Sequence, residues 1–532
     1  MTTVREAVLD LLRANGVDRV FGNPGSTELT FLQNWPNDIQ YVLGLQEATV
    51  VAMADGYAQG TRRTAFVNLH SAAGVGHSLG NVFTAFRNQT PIVITAGQQE
   101  RSLLPMAPYL FAERATEFPQ PYVKWSIEPA RAEDVPAAIA QAFAIAATPP
   151  CGPVFVSVPI DDWNKDCTPV TRRTLAGHPQ PDPAALDAMA DALAAARSPV
   201  IVMGSEVDRD GGWDAAVTVA ERLGALVWVA PASSRAGFPE DHPLFAGFLP
   251  AAPEAIASLL AGHDVIAVFG APVFTFHIAG PCSLFDAGGP AIWQVTQTPA
   301  SAAGAAAGTA IIGSPAGALA TLATRLGQAE RPAPAGRGAA ILPLAGGPLT
   351  AEQVLHHVGI TMPADAIIAE EAPSHRVALQ RFIPTRQSGA FHTMASGGLG
   401  WSLPAAVGLA LAAPGRRVVA VIGDGSMMYS IQALYTAAQL RLPITVVVMN
   451  NAGYGAMRAF SKILDTPNAP GIDLPGLDFT ALARGHGCHG VRVDTGAAFE
   501  AAFAASLASD APWVIDTIVD PAVKELYAAA ND

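Results

Sequence analysis

The chain has 532 residues, half of them hydrophobic and 14% charged, enough apolar material for about three or four ordinary domains and too much for a disordered chain. Acidic residues outnumber basic ones 45 to 31, the net charge is −14, and no Lys/Arg cluster stands out, which argues against nucleic acid or an anionic membrane surface as partner. Cys151, Cys167, Cys282 and Cys488 are scattered without CxxC or zinc spacing, so no disulfide framework is expected and a cytoplasmic location fits.

The N-terminus, MTTVREAVLDLLRANG, reads as an amphipathic helix rather than a signal peptide. Helices then alternate with short apolar runs: RVFGNPG, YVLGL, AFVNLH, PIVITAG and PVFVSVP. A Pro-bearing polar stretch, Thr168–Asp182, reads as a linker. The middle segment repeats the alternation with PVIVMG, LVWVAP, HDVIAVFG and PAIWQVTQ. Its uncharged run from Ala287 to Thr324 is broken by prolines and too weakly apolar for a membrane span. A second linker, Glu330–Pro348, precedes AIIAEE, RVVAVIGDG, ITVVVMNN and WVIDTIVD. Continuous apolar strands between helices mark parallel sheets covered on both faces. The expected fold class is α/β: three consecutive doubly wound domains with mainly parallel sheets, over residues 1–170, 183–329 and 349–532.

The stretch from Val418 to Gly455 carries the most chemistry. Gly423-Asp424-Gly425 ends one buried strand, an amphipathic helix starts near Ser426, and Asn450-Asn451 ends the next strand. Ligands of open parallel sheets sit outside the carboxyl ends of strands, so Asp424 and Asn451 can converge there. One carboxylate with amide and backbone oxygens suits Mg2+ that takes its other ligands from water and a phosphorylated partner. The glycines and the helix start suit phosphate oxygens. Turn chemistry uses the same residues, and this stretch alone does not exclude it.

A second set lies in the first segment. Asn23-Pro24-Gly25-Ser26, Glu47 and His70 each follow a strand, and adjacent strand ends would bring them to one rim. Singly, such residues are usually caps or turns. SAAGVGHSLG (71–80) follows a strand but has Gly-x-Gly-x3-Gly spacing, and VMGSEVDRDGG has no Gly-x-Gly-x-x-Gly, so a dinucleotide site is not supported.

Gly-Asp-Gly, 24 residues (Ser426 to Met449) and Asn-Asn resemble the signature of thiamin-diphosphate enzymes. Most of the chain is similar to thiamin-diphosphate-dependent 2-oxo-acid decarboxylases, the benzoylformate decarboxylase subgroup in particular. The resemblance rests on FGNPGS (21–26), LQEA (45–48), NLHSAAG (68–74), TAGQQ (95–99), SVPIDDW (157–163), GAPVFTFH (270–277), GGLGWSLPAA (397–406) and MNNAGYGAMRAF (449–460), among others. It implies thiamin diphosphate and Mg2+, or another divalent ion such as Ca2+, as cofactors. Glu47 would bond the cofactor's pyrimidine ring and activate it. The Gly397 carbonyl would take the ring's amino group, and Leu399 would wedge beneath the rings. Asp424, the Asn451 side chain and the Gly453 main-chain oxygen would hold the metal. Gly425, Ser426, Ser374 and Tyr454 would meet the diphosphate.

The same resemblance implies that Ser26 binds the substrate carboxylate, His70 protonates the ketone oxygen, and His277 delivers a proton after CO2 leaves. Histidine's titration near neutral pH suits both steps, although His277 after an apolar run also reads as a buried structural histidine. Ala456, Met457 and Phe460 are spaced to share a helix face and, with Leu110, to form an apolar wall; core packing would use the same spacing. The glutamate and the diphosphate site lie on different subunits in the family, which implies a homodimer at minimum and extends to a homotetramer. Tyr109, Thr393, Pro373 and Gly453 depart from the family's pattern. The expected reaction is non-oxidative decarboxylation of benzoylformate or a close analogue, with a substituted or smaller 2-oxo acid favoured by the altered pocket. A carboligase or lyase with the same cofactor is the alternative; Ser26, His70 and His277 together speak against it.

Overall fold

Val, Ile and Phe runs of four to seven residues can be buried on both faces, and here they form parallel strands between helices. The computed structural model describes residues 2–172, 175, 177–329, 342–344, 348–522 and 526. Parts of both expected linkers, at 173, 174, 176, 330–341 and 345–347, lie outside the described residues, as do residues 523–525 and 527–532 of the expected third domain.

The first unit contains β1 (Thr2–Thr3), β2 (Arg19–Gly22), β3 (Gln40–Leu43), β4 (Ala65–Leu69), β5 (Ile92–Gln98), β6 (Ser126–Ile127), β7 (Pro153–Pro159) and β8 (Asp166–Cys167). Its sheet is ordered β3-β2-β4-β5-β7-β6 and every pairing is parallel. The short β1 pairs antiparallel with β8 and ties the N-terminus to the end of the domain, a ribbon too short for periodicity to reveal. The expected first helix spans Val4–Ala14; Thr3 and Glu6 form its capping box.

The middle unit holds β9 (Pro199–Met203), β10 (Leu226–Val229), β11 (Phe245–Phe248), β12 (Val265–Phe269), β13 (Ala291–Thr296) and β14 (Thr309–Ile312), ordered β11-β10-β9-β12-β13-β14. The third holds β15 (Ile367–Glu371), β16 (Phe391–Thr393), β17 (Val418–Gly423), β18 (Ile444–Asn450), β19 (His489–Val493) and β20 (Trp513–Ile518), ordered β16-β15-β17-β18-β20-β19. All three sheets are six-stranded and parallel among the described residues. The three-domain α/β expectation is borne out.

The first and third units share one apolar core, in which Val50 and Ala54 meet Val407 and Ala410. Two helices make this seam, Glu47–Thr61 and Ser402–Ala412. They approach closely because a Cβ is missing at the crossing: one on Gly408 would lie 2.0 Å from the Met53 carbonyl, one on Gly56 2.3 Å from that of Ala405. None of the described helices is long and apolar enough to cross a membrane.

One local expectation is corrected. The helix read from Ser426 starts two residues earlier, at Asp424, ends at Met428 and resumes over Ala433–Gln439. Tyr429 sits at the break, its Cβ 2.8 Å from where Gly400 would carry one, so the chain turns aside to pack on that loop.

Candidate active site

Register sets the geometry. Gly423 lies beside Met449 in the β17–β18 ladder, so Asp424 and Asn451 leave the same sheet edge. Asp424 is buried and accepts from the Gly425 N–H at Oδ1 (2.7 Å) and from the Gly453 N–H at Oδ2 (2.8 Å). Burial pushes its carboxyl up, and these two N–H groups pull it back. Asn451 is equally buried, and its side-chain nitrogen has no hydrogen-bond partner.

Beside them opens a cavity of about 640 Å³ between the third unit and the middle one, with Phe83 and Arg87 of the first unit at its edge. Gly397, Leu399, Ser374, Gly425, Ser426 and Tyr454 line it with Asp424, Asn451 and Gly453. Tyr454 packs against Gly425: a Cβ there would lie 2.3 Å from the ring. Ala456, Met457 and Phe460 of the helix Gly455–Ile463 also line it, while Ala459 turns to the core. These three side chains thus face the cavity rather than the core, and Leu110 does not join them there.

From the middle unit come Phe248, Leu249, Phe276 and His277. His277 is exposed, not buried; its main-chain N–H donates to the Ala251 carbonyl at 2.8 Å, and its ring meets Phe460 edge-on at 4.9 Å.

The first unit gathers a separate cluster. Gly22 pairs with Leu43 and Asn68, so the residues after β2, β3 and β4 share one rim. Glu47 opens its helix there, nearly buried, where helix N-termini favour a carboxylate. It accepts from the Asn23 amide at 3.2 Å, and the His77 ring lies 3.1 Å away. His70 Nδ1 lies 2.9 Å from Glu28 Oε2 and 3.0 Å from the Thr27 hydroxyl. The Glu28 carboxylate raises the His70 pKa above its ordinary value, against the opposing effect of burial. Gly25 makes room, since a Cβ on it would lie 2.2 Å from that ring. Ser26 is exposed at the start of a single 3-10 turn, Ser26–Glu28.

Within one chain these two sets stay apart. Ser26, Glu47, His70 and Leu110 do not line the cavity that holds the others. Of the departing positions, Pro373 and Gly453 line it, but Tyr109 is 88% exposed on the first unit and Thr393 is buried. Thr393 turns its hydroxyl to the Glu370 carbonyl at 2.8 Å, which corrects its expected place in the pocket.

Among the residues that sequence reasoning missed are Glu28, His77, His375 and Arg376. Glu28 and His77 engage His70 and Glu47. His375 and Arg376 line the cavity. His375 is buried, burial drops its pKa to about 4, and its Nε2 has no hydrogen-bond partner. Arg376 pairs with Glu370 at 3.2 Å. A histidine one residue after Ser374 was the available signal; its burial was not.

The domain content defines the class. Residues 2–120 match the thiamine pyrophosphate enzyme N-terminal TPP binding domain, 186–322 the central domain, and 371–517 the C-terminal TPP binding domain. Thiamine pyrophosphate is thiamin diphosphate. The chain is 44% identical over 521 residues to a benzoylformate decarboxylase of Pseudomonas aeruginosa, covering 97% of this chain and 98% of that one. The crystal structure of benzoylformate decarboxylase from Polynucleobacter necessarius superposes with a TM-score of 0.96 at 40% identity, covering 99% and 100% of the two chains. A thiamine diphosphate-dependent 4-hydroxybenzoylformate decarboxylase of Rhodococcus jostii RHA1 superposes at 0.94 with 41% identity, covering 98% and 100%. The chain belongs to the benzoylformate decarboxylase family of thiamin-diphosphate enzymes.

Proposed function

We propose that the chain decarboxylates an aromatic 2-oxo acid, benzoylformate or a ring-substituted analogue, to the aldehyde and CO2. The observation that carries this reading is the composition of the cavity: a phosphate-and-cation edge at Asp424–Ser426 faces an aryl-sized wall of Phe248, Phe276, Met457 and Phe460, with His277 between middle and third units.

The residues fit the implied cofactors. The Asn451 amide has an orphaned buried end, and such an amide, turned over, presents an oxygen to a cation. No group of three or more His, Cys, Asp or Glu that could hold a metal occurs among the described residues. A divalent ion here, Mg2+ or a relative such as Ca2+, would therefore depend on Asp424, Asn451, the Gly453 carbonyl and diphosphate oxygens. Gly425, Ser426, Ser374 and Tyr454 would face the diphosphate. When bound, thiamin diphosphate supplies a nucleophilic carbon and an electron sink for the bond to CO2.

The chain's own groups orient substrate and move protons. Ser26 donates its hydroxyl to the substrate carboxylate. With Nδ1 engaged by Glu28 and Thr27, His70 presents a proton at Nε2 to the ketone oxygen. The carboxyl carbon leaves as CO2, and His277 delivers the proton that takes its place on the carbonyl carbon. Glu47, Ser26 and His70 lie outside this chain's own cavity, which supports the resemblance's implication that a second copy supplies them and that a homodimer is the smallest active unit. The resemblance extends this to a homotetramer.

The test is aldehyde release across a panel of 2-oxo acids with thiamin diphosphate and Mg2+ added. Benzoylformate and ring-substituted analogues should turn over faster than pyruvate. His277→Ala should lower kcat by on the order of 10²-fold or more. Preference for pyruvate, or acyloin as the main product, would overturn the reading.

A further inference from the structure

The segment 395–402 carries Gly397 and Leu399 into the cavity. Its anchor is a carboxylate at the end of β15. Glu371 is 1% exposed, and its Oε1 accepts from the Gly400 N–H at 2.6 Å. Its Oε2 accepts from the N–H groups of Trp401 at 2.9 Å and Ser402 at 2.7 Å.

These are unpaired donors at the start of the helix Ser402–Ala412, which has no side-chain cap of its own. A carboxylate from a neighbouring strand thus serves as cap and as tether. Other bonds hold the segment from the opposite side: Trp401 Nε1 donates to Asp55 at 2.7 Å, and the Ala395 N–H donates to Asn88 at 2.9 Å. Between these grips, Gly397 has φ +73° and nothing within 4 Å of where a Cβ would sit; beside it Ser396 Oγ lies 2.9 Å from Thr84 Oγ1, and Leu399 packs against Met394 and Trp401. Burial pushes the Glu371 carboxyl up to about 7 while the three N–H groups favour the anion.

We propose that Glu371 is a positioning residue: by holding Gly400, Trp401 and Ser402 it fixes the Gly397 carbonyl and the Leu399 side chain against the cofactor's rings, independently of the metal–diphosphate edge. The inference rests on the functional reading above. Orientation of reacting groups is worth large factors in rate, so a loosened segment costs turnover more than binding.

Glu371→Gln tests it. An amide puts a donor where a carboxylate oxygen faced N–H groups, so at least one of the three bonds is lost. Three quantities are measured in wild type and variant: backbone amide exchange at 400–402 in the protein without added cofactor, affinity for Mg2+ with inorganic diphosphate, and deuterium exchange at C2 of bound thiamin diphosphate. Exchange at 400–402 should rise, diphosphate affinity should stay within about threefold, and C2 exchange and kcat should both fall by about tenfold or more with KM little changed. Glu371→Asp, which keeps the charge, should fall between the two and serves if the Gln variant folds poorly. Wild-type C2 exchange in the variant, or diphosphate affinity lost in proportion to it, would overturn the proposal. A wild-type protein that took up no thiamin diphosphate would instead overturn the functional reading, and this inference with it.

Discussion

At His70, the proton donor of the proposed mechanism, a single carboxylate sets the ring's protonation. Glu28 accepts from the Gly25 and Gly97 N–H groups and from Thr27, so its place is fixed before it meets the imidazole. A fixed anion beside the ring keeps the imidazolium to higher pH than usual, which suits a group that must give a proton. Glu28→Gln removes that charge. If protonated His70 is the active form, the high-pH limb of the kcat/KM profile should move to lower pH; an unmoved limb would contradict the assignment. His375 works in the opposite sense. It stays neutral in the fold down to about pH 4, whereas the unfolded chain takes up that proton near the ordinary value of 6.5. The unfolded state therefore binds more protons in that window, and stability falls as pH drops from 6.5 towards 4, by on the order of 3 kcal/mol. Thermal melts of His375→Gln should show a shallower loss of Tm across that window than wild type. Glu371, raised to about 7, carries the reverse linkage: its burial costs stability as pH rises from the ordinary carboxylate value of 4.5. The two slopes oppose each other, so the difference between variant and wild type is the quantity to compare.

At the scale of elements, the seam between the helices Glu47–Thr61 and Ser402–Ala412 matters most. One end of the first helix bears Glu47, and the second begins beside Leu399. Gly408→Ala would set a methyl into the Met53 carbonyl and push the helices apart. A loss of about 1–3 kcal/mol in urea melts is expected, with activity falling further than stability alone explains. A neutral result would mean the seam yields without disturbing either end. Much of this level was legible beforehand. Parallel strands followed from Val/Ile runs, and Gly-Asp-Gly with Asn-Asn marked two strand ends because sheet order, not sequence distance, brings them together. Glu28 and Glu371 were not legible. Each works through backbone N–H groups up to 69 residues away, as in the Gly97 N–H to Glu28 bond, and nothing in a Glu of a turn or a strand end announces that partner. Thr393 was misplaced for a related reason: residue type marks a departure, but only the β15–β16 pairing shows that its hydroxyl turns to Glu370. The break at Tyr429 came from packing on Gly400, which periodicity within the helix does not register.

For the whole molecule the decisive feature is division of labour between two surfaces of one chain. The cavity between the middle and third units, edged by Phe83 and Arg87 of the first, holds the residues suited to diphosphate, cation and aryl group, whereas Glu47, Ser26 and His70 of the first unit lie outside it. Exposed Met106, Tyr109 and Phe118 on that unit are apolar surface suited to a second copy. Benzoylformate turnover by co-expressed, separately inactive Glu47→Ala and Asp424→Ala chains tests this arrangement most directly. Each mixed dimer would carry one site with both lesions and one with none, so statistical mixing should restore about a quarter of wild-type aldehyde release. Mixed dimers as inactive as either parent, with wild type fully active, would contradict the account.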